Sequence, residues 1–291
     1  MMPAVSPTPP GALTLRPMEP GDVAIAVDVS AAAFEYELTD AATRAFWEMR
    51  VAHPLRTDPG GAFVAELDGR LVGVAQALQR DRVWVLTLLT VLPTAQSTGA
   101  GRALFERALD YGERAAPGLI VSSNDARAMR LYARAGFSLL AALETDGLLQ
   151  RRALPRPNSR IREAGHADLG ALEMISRAVR GATHTPDLEL ALRQEAVLLR
   201  LGDAGFAAAM PGHGVWMLAA RHESDAQALL WQALEIAGES VRPAVRWLAG
   251  DQAWAIDVLL RAGFGLRAYG ALAVRGRPGP LRPYIPSGPF A

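Results

Sequence analysis

The stretch Val91-Leu92-Pro93-Thr94-Ala95-Gln96-Ser97-Thr98-Gly99-Ala100-Gly101-Arg102 decides the fold of this chain. It ends the apolar run 83–92 and leads into residues 102–115, where apolar side chains recur with helical spacing. The predicted order is therefore a strand, a glycine-containing turn and a helix. Glycines at such a turn allow left-handed dihedrals, and the first N–H groups of a helix attract anions. From these residues alone, a phosphate-binding loop and a plain tight turn are both open.

The strand before this loop is predicted to be the third of an antiparallel meander. The segments 62–67, 71–78 and 83–92 are separated by turn residues, among them the hairpin pair Asp68-Gly69. A short strand at 13–16 and two helices, one at 22–33 and one beginning at the N-cap Asp40, come earlier. A dinucleotide-binding unit has its glycines after the first strand of a parallel unit instead. The meander therefore argues against that class of fold.

The segments after the loop continue the alternation of strands and helices. Residues 118–122 are predicted to form a buried strand and 124–135 a helix, and segments 137–143 and 148–154 are expected to close the sheet. Pro155-Arg156-Pro157-Asn158-Ser159 is typical of a linker.

The chain also contains an internal repeat. Arg134-Ala135-Gly136-Phe137 recurs as Arg261-Ala262-Gly263-Phe264, and the elements predicted after the linker follow the order of those before it. We therefore predict five segments: a flexible N-terminus at 1–12, a first domain at 13–154, a linker at 155–159, a second copy at 160–275 and a Pro/Gly-rich tail at 276–291. We call 13–154 the first repeat and 160–275 the second repeat.

Composition excludes several chemistries. The 291 residues include no Cys and no Lys, and 30 Arg balance 30 acidic residues. A thiol nucleophile, a disulfide, a Cys-ligated metal and a Schiff-base lysine are therefore impossible. Zero net charge argues against nucleic-acid and membrane partners, and no apolar run reaches the roughly 18 residues of a membrane helix. The histidines show no metal-ligand spacing, so we expect no metal. The lack of a signal-peptide pattern and of a membrane helix predicts a soluble cytoplasmic protein.

Two motifs together resemble the GNAT superfamily of N-acetyltransferases. Val91-Leu92-Pro93 followed by Gln96-x-x-Gly99-x-Gly101, and then the segment from Asn124 through Tyr132 to Phe137, occur in the order and spacing of that family. The resemblance is strong over the first repeat and degenerate over the second. It implies an α/β protein of the α+β type with two tandem GNAT folds and mixed sheets. It also implies that acetyl-CoA lies in a cleft between the strands 87–92 and 119–122.

The resemblance further implies roles for named residues. The pyrophosphate of acetyl-CoA would bind the backbone amides of Gln96, Ser97, Thr98, Gly99, Ala100, Gly101 and Arg102. The pantetheine arm would lie along Leu89, Thr90 and Val91, and Asn124 would form a hydrogen bond near that arm. Tyr132 would stand beside the sulfur as the general acid, with an amphipathic core tyrosine as the alternative.

The general base stays open. Many relatives have a glutamate on the strand before the phosphate loop, but residues 83–90 contain no acid. The remaining options are a carboxylate of Glu35, Glu37 or Asp40, the imidazole of His53, or water acting on an amine that arrives deprotonated.

The second repeat has lost the residues of the motif. Glu223 and Asp225 fall where the loop glycines should be, Asp251 replaces Asn124, and Leu259 replaces Tyr132. Negative charge at that helix terminus should repel a pyrophosphate. We predict a silent copy that packs on the first domain and walls its acceptor pocket.

The tail composition predicts neither a helix nor a strand ladder. Its alternatives are a disordered terminus or docking across the first domain through Tyr284, Ile285 and Phe290.

The function predicted from the sequence is acetyl transfer from acetyl-CoA to the primary amine of a small molecule or peptide. The rivals are a tandem module that binds acetyl-CoA without turnover and a structural partner that binds no cofactor. The sequence leaves the acceptor, the acyl-chain preference and the oligomeric state open.

Overall fold

The computed structural model describes residues 12–112, 116–238 and 243–291. Two compact units are present: unit 1 comprises Met1–Gln76 and Leu88–Tyr111, and unit 2 comprises Ala77–Thr87 and Gly112–Ala291. Residues 1–11 of the expected N-terminal segment, and 113–115 at the end of the helix expected at 102–115, lie outside the described residues.

Unit 1 is built from an antiparallel sheet with three helices. Its elements are β1 (Leu13–Pro17), α1 (Val23–Phe34), α2 (Ala41–Thr57), β2 (Ala62–Leu67), the first part of β3 (Arg70–Arg80), the last part of β4 (Val83–Val91) and α3 (Ala100–Leu109). The strands are ordered β1-β2-β3-β4. A core of small and branched apolar side chains, including Val27, Val51, Val64 and Val74, holds α1 and α2 on the sheet.

Local sequence explains where these elements turn. Asp68 (φ 52°) and Gly69 (φ 73°) form the two left-handed positions of the β2–β3 hairpin, which fits the predicted turn. The Asp40 side chain accepts a hydrogen bond from the Thr43 amide at 2.7 Å and so begins α2, as predicted.

Unit 2 contains the rest of the chain in two sheets. After the remaining parts of β3 and β4, its strands are β5 (Gly118–Ser122), β6 (Ser138–Asp146), β7 (Arg162–Ala164), β8 (Val197–Leu201), β9 (Gly205–Met210), β10 (Gly214–Ala220), β11 (Leu248–Ala249), β12 (Gly265–Arg275) and β13 (Tyr284–Ile285). Its helices are α4 (Ala126–Arg134), α5 (Leu169–Arg180), α6 (Thr185–Arg193), α7 (Glu223–Ala237) and α8 (Ala253–Arg261). The strand orders are β4-β5-β12-β6-β11 and β13-β10-β9-β8-β7.

The expectation that 148–154 closes the first sheet is wrong. Those residues contain a 3₁₀ turn at Arg151–Ala153, and β12 of the second repeat lies between β5 and β6 instead. A central strand needs apolar residues on both faces, which the pair Arg151-Arg152 does not offer. Strand β12 buries Ala271, Leu272 and Ala273 in that position.

The expectation that the tail forms no strand ladder is also wrong. Tyr284 and Ile285 form β13, which pairs antiparallel with Ala219 and Leu218 of β10. Pro283 and Pro286 lie just outside the paired residues, so neither proline interrupts the ladder. The tail therefore docks on the second repeat rather than across the first domain.

The described residues contain neither a membrane-spanning helix nor a metal-binding cluster. None of the helices in these residues is long and apolar enough to cross a membrane. The same residues hold no group of three or more His, Cys, Asp or Glu side chains placed to bind a metal ion.

Candidate active site

The loop between β4 and α3 has a backbone conformation typical of an anion-binding site. Ser97 (φ 68°) and Gly99 (φ 93°) are both left-handed, and Gly99 is the N-cap residue of α3. The Thr98 hydroxyl donates to the Ala95 carbonyl oxygen at 2.7 Å, which holds the loop in its turn. Ser97, Thr98 and Gly99 are exposed. The first N–H groups of α3 therefore point out of a helix terminus that solvent and ligands can reach.

The strand that leads into this loop is firmly packed. Thr90 is buried, whereas Leu89 and Val91 are half-buried. A Cβ on Gly73 of β3 would lie 2.9 Å from a Leu104 methyl group and 3.0 Å from the Thr90 carbonyl oxygen, so α3 and β4 approach β3 closely there. Gln96 donates through Nε2 to the Val91 carbonyl oxygen at 3.5 Å. Close packing and a hydrogen bond thus hold the strand end and the loop together within unit 1.

Arg102 carries the formal charge nearest to the helix terminus. Its Nε donates to Glu106 Oε1 at 2.8 Å, one helical turn away, and its side chain is exposed. An exposed pair of this kind contributes little to stability. The guanidinium can therefore leave Glu106 for a phosphate at small cost.

Asn124 and Tyr132 belong to unit 2. Asn124 is exposed directly after β5, and its Oδ1 accepts a hydrogen bond from the Gly270 amide at 2.6 Å. Tyr132 on α4 is only 5% exposed. Burial, assisted by the Asp125 carboxylate, raises the pKa of Tyr132 above its ordinary value of 10.0. The phenol therefore keeps its proton at neutral pH, which a proton donor requires.

The candidate bases differ in their exposure to solvent. Glu35, Glu37 and Asp40 are exposed, and His53 is buried on α2 with Nδ1 3.3 Å from Arg56 Nη2. The hydrogen bond from the Thr43 amide lowers the pKa of Asp40, which makes that carboxylate a weaker base. The base stays open among the other options.

Sequence reasoning missed an aromatic and cationic cluster in unit 1. The rings of Tyr36 and Trp47 stack with centroids 4.3 Å apart, and the Arg50 guanidinium lies 5.2 Å from the Trp47 ring centroid. Desolvation lowers the pKa of Arg50 to about 10, so the group stays charged at neutral pH. Trp47 and Arg50 are three residues apart on α2, and that spacing places them on one helix face.

The second repeat has different side chains at the positions that match the loop, Asn124 and Tyr132 of the first repeat. Glu223 and Asp225 lie in the first turn of α7, where an anion would meet negative charge. Leu259 is fully buried at the position that matches Tyr132. Asp251 forms an ion pair with Arg282 of the tail.

Comparison with known sequences places the first repeat in a family. The sequence profile of the Acetyltransferase (GNAT) family matches residues 26–137, and these residues form a GNAT-family acetyltransferase domain. A mycothiol acetyltransferase of Streptomyces griseus subsp. griseus is 34% identical over 139 residues, which make up 45% of each chain. Another, of Thermomonospora curvata, is 34% identical over 140 residues, 46% of this chain and 47% of the relative. The chain spans about half the length of the curated relatives it matches.

Solved structures extend the likeness in fold to both repeats. A Pyrococcus horikoshii protein assigned as an acetyltransferase matches with a TM-score of 0.78 and 18% identity over 96% of both chains. A tandem GNAT protein from the clavulanic acid biosynthesis pathway matches with a TM-score of 0.60 and 16% identity, over 90% of this chain and 98% of that one. At such identities the likeness concerns the fold alone, and the fold is the mixed α/β fold of tandem GNAT proteins.

Proposed function

We propose that this protein is an acetyl-CoA-dependent N-acetyltransferase that acts on the primary amine of a small molecule or peptide. The observation that carries the proposal is the β4–α3 loop, where left-handed Ser97 and Gly99 expose the first amides of α3. The match of residues 26–137 to the GNAT family supports the same assignment.

The reaction is direct transfer without a covalent enzyme intermediate. Acetyl-CoA supplies an activated acyl group: the neutral amine nitrogen bonds to the thioester carbonyl carbon and gives up one proton to the base or to water, the C–S bond breaks, and the sulfur takes up a proton. The amides of 96–102 bind the pyrophosphate, and the backbone of 89–91 binds the pantetheine amides. An N–H of the same strand stabilises negative charge on the carbonyl oxygen. Tyr132 donates the proton, and Asn124 holds the cofactor arm.

The second repeat is silent in this proposal, and its own tail supports that view. The strand before α7 is β10, which ends with Leu218, Ala219 and Ala220. The strand before α3 is β4, which ends with Leu89, Thr90 and Val91. Tail strand β13 pairs with Leu218 and Ala219, and the Ala220 amide donates to the Pro283 carbonyl oxygen at 3.3 Å. Backbone groups equivalent to the pantetheine site are therefore already hydrogen-bonded.

Binding stoichiometry tests both parts of the proposal. Isothermal titration with acetyl-CoA should give one site per chain, and thiol release over a panel of primary amines should reveal turnover. The panel should include the acceptor of the mycothiol acetyltransferases named above. Two sites would contradict the silent second repeat, and no site would contradict the proposal as a whole.

A second candidate is a module that binds acetyl-CoA without turnover. The lack of any acid in residues 83–90 favours it, because a base common in the family is missing. One bound acetyl-CoA with no thiol release from any amine would support this candidate over the enzyme.

A further inference from the structure

Two hydrogen bonds join the end of β5 to the second repeat. The Gly270 amide donates to Asn124 Oδ1 at 2.6 Å, and Trp247 Nε1 donates to the Ser122 carbonyl oxygen at 3.1 Å. The partners are 146 and 125 residues apart in the chain. Both acceptors belong to the first repeat, and both donors belong to the second.

A β-bulge brings the Gly270 amide to this place. The register of β12 against β6 shifts between Ala268 and Ala271, so that Tyr269 and Gly270 stand against the single residue Ala142 and β12 carries one extra residue. Gly270 has φ 65°, and a Cβ there would lie 1.8 Å from the Ser122 carbonyl oxygen. Only glycine fits such a close approach. Bulges of this kind often re-aim a backbone group beside an active site.

Trp247 is itself fixed by neighbours from several segments. Its ring lies 5.8 Å from the Tyr269 ring, and a Cβ on Gly288 would come within 2.4 Å of its Cζ3 atom. Next to it, Arg246 and Arg267 form ion pairs with the buried carboxylate of Glu144 on β6, at 3.0 and 2.6 Å. The indole N–H is therefore held in one orientation toward Ser122.

The direction of the Gly270 hydrogen bond fixes the Asn124 amide. A backbone N–H is a donor, so Asn124 must present its oxygen to Gly270, and its Nδ2 group is turned the other way as a donor. Asn124 is exposed, so a ligand can reach that donor. A freely rotating amide would present either atom to a ligand and would lose entropy on binding.

We propose that Gly270 and Trp247 are positioning residues for the cofactor-binding end of β5, so that the second repeat completes the site of the first. Gly270 fixes the Asn124 amide with its nitrogen toward the pantetheine arm, and Trp247 fixes the Ser122 carbonyl beside it. This inference rests on the proposed function, because the ligand that Asn124 meets is acetyl-CoA.

Replacing the indole N–H tests the inference in the full-length chain. Trp247→Phe keeps an aromatic ring but removes the donor to Ser122. We expect the Kd for acetyl-CoA and its KM to rise about two- to tenfold, the range of one net hydrogen bond, with kcat nearly unchanged. The matched control is Trp254→Phe, which removes an indole donor to Gln252 Oε1 (2.7 Å) elsewhere in the second repeat. A merely structural role would change both variants alike.

A second variant isolates the donor on Asn124. Asn124→Asp keeps an oxygen for the Gly270 amide but has no N–H to offer a ligand. Hydrogen exchange at the Gly270 amide should stay slow while the affinity for acetyl-CoA falls, whereas Asn124→Ala should speed that exchange as well.

The outcomes separate this inference from the proposed function. Wild-type protein that binds no acetyl-CoA would overturn the proposed function and this inference with it. Wild-type binding that Trp247→Phe leaves unchanged, or weakens no more than Trp254→Phe does, would overturn this inference alone.

Discussion

Tyr132 and Tyr284 are two buried phenols with different surroundings. Both phenols are buried, and desolvation raises the pKa of each above the ordinary value of 10.0. Tyr284 donates to or accepts from His184 Nε2 at 3.2 Å inside the second repeat. Tyr132 lies on α4, within the residues 26–137 that match the GNAT family. The surroundings of each phenol therefore depend on the element that carries it, helix α4 for Tyr132 and strand β13 for Tyr284.

Replacing the Tyr132 hydroxyl should slow catalysis without weakening cofactor binding. In Tyr132→Phe we expect kcat to fall about a hundredfold or more, the usual contribution of a positioned proton donor, with the Kd for acetyl-CoA nearly unchanged. Steady-state thiol release and titration calorimetry measure the two quantities. Tyr284→Phe is the matched control and should keep its kcat. Equal kcat in both variants would make Tyr132 a core residue.

Acid should destabilise the second repeat through His184. Burial, with nearby Arg180, lowers the pKa of His184 well below the ordinary 6.5, so the folded protein keeps this imidazole neutral. Its stabilising contribution is complete above pH 6.5 and is lost as the pH falls, because the unfolded chain then binds the proton more readily. In urea unfolding, the free energy of unfolding should fall by up to about 1.4 kcal/mol per pH unit below pH 6.5.

The controls for this prediction are two glutamine variants. His184→Gln should flatten the dependence on pH between 7 and 5, and His166→Gln, at an exposed position, should not. Identical curves for the two variants would place the titrating group elsewhere.

At the scale of elements, turn chemistry determines where the helices and strands of unit 1 begin. The Asp68-Gly69 pair, the Asp40 N-cap and Gly99 before α3 are all local signals that the structure uses as the sequence predicts. Each works through the dihedrals or hydrogen bonds of a few adjacent residues, so no distant contact is needed to interpret it.

Replacing Gly99 should weaken acetyl-CoA binding in addition to its effect on folding. Gly99→Ala forces a methyl group onto φ 93°, which costs about 1 kcal/mol, and should raise the KM for acetyl-CoA by about tenfold as the amides shift. Gly69→Ala is a matched control, because Gly69 also has positive φ (73°) and, like Gly99, no neighbour within 4 Å of a new Cβ among the described atoms. Thermal unfolding and steady-state kinetics compare them. A similar KM in both variants would contradict the proposal that this loop binds the pyrophosphate of acetyl-CoA.

At the scale of the whole chain, the two repeats share a sheet. Five residues of β5 and eight of β6 pair with β12, which belongs to the second repeat. Strand β11 of the second repeat then pairs with the other edge of β6. Unit 2 therefore contains parts of both repeats, and strands of the second repeat complete the sheet that holds β5 and β6.

Separating the repeats should destroy the fold of the first one. A fragment of residues 1–159 lacks β12, so β5 and β6 lose their shared neighbour and expose strand edges that favour aggregation. Size-exclusion chromatography and circular dichroism should show aggregated or unfolded fragment, and co-expression with residues 160–291 should restore a folded complex. A monomeric 1–159 fragment with full affinity for acetyl-CoA would contradict this view.

The sequence by itself determined the meander, the loop before α3, the helix caps and the duplication, because each depends on near neighbours or on direct comparison of residues. It also marked Asn124 and Tyr132 by motif. Only the tertiary structure decided that β12 rather than 148–154 completes the sheet, that the tail pairs with β10, and that Gly270 and Trp247 meet the end of β5. Those contacts join residues 65 to 157 positions apart, and the choice among competing strands depends on burial of apolar area that no local pattern records.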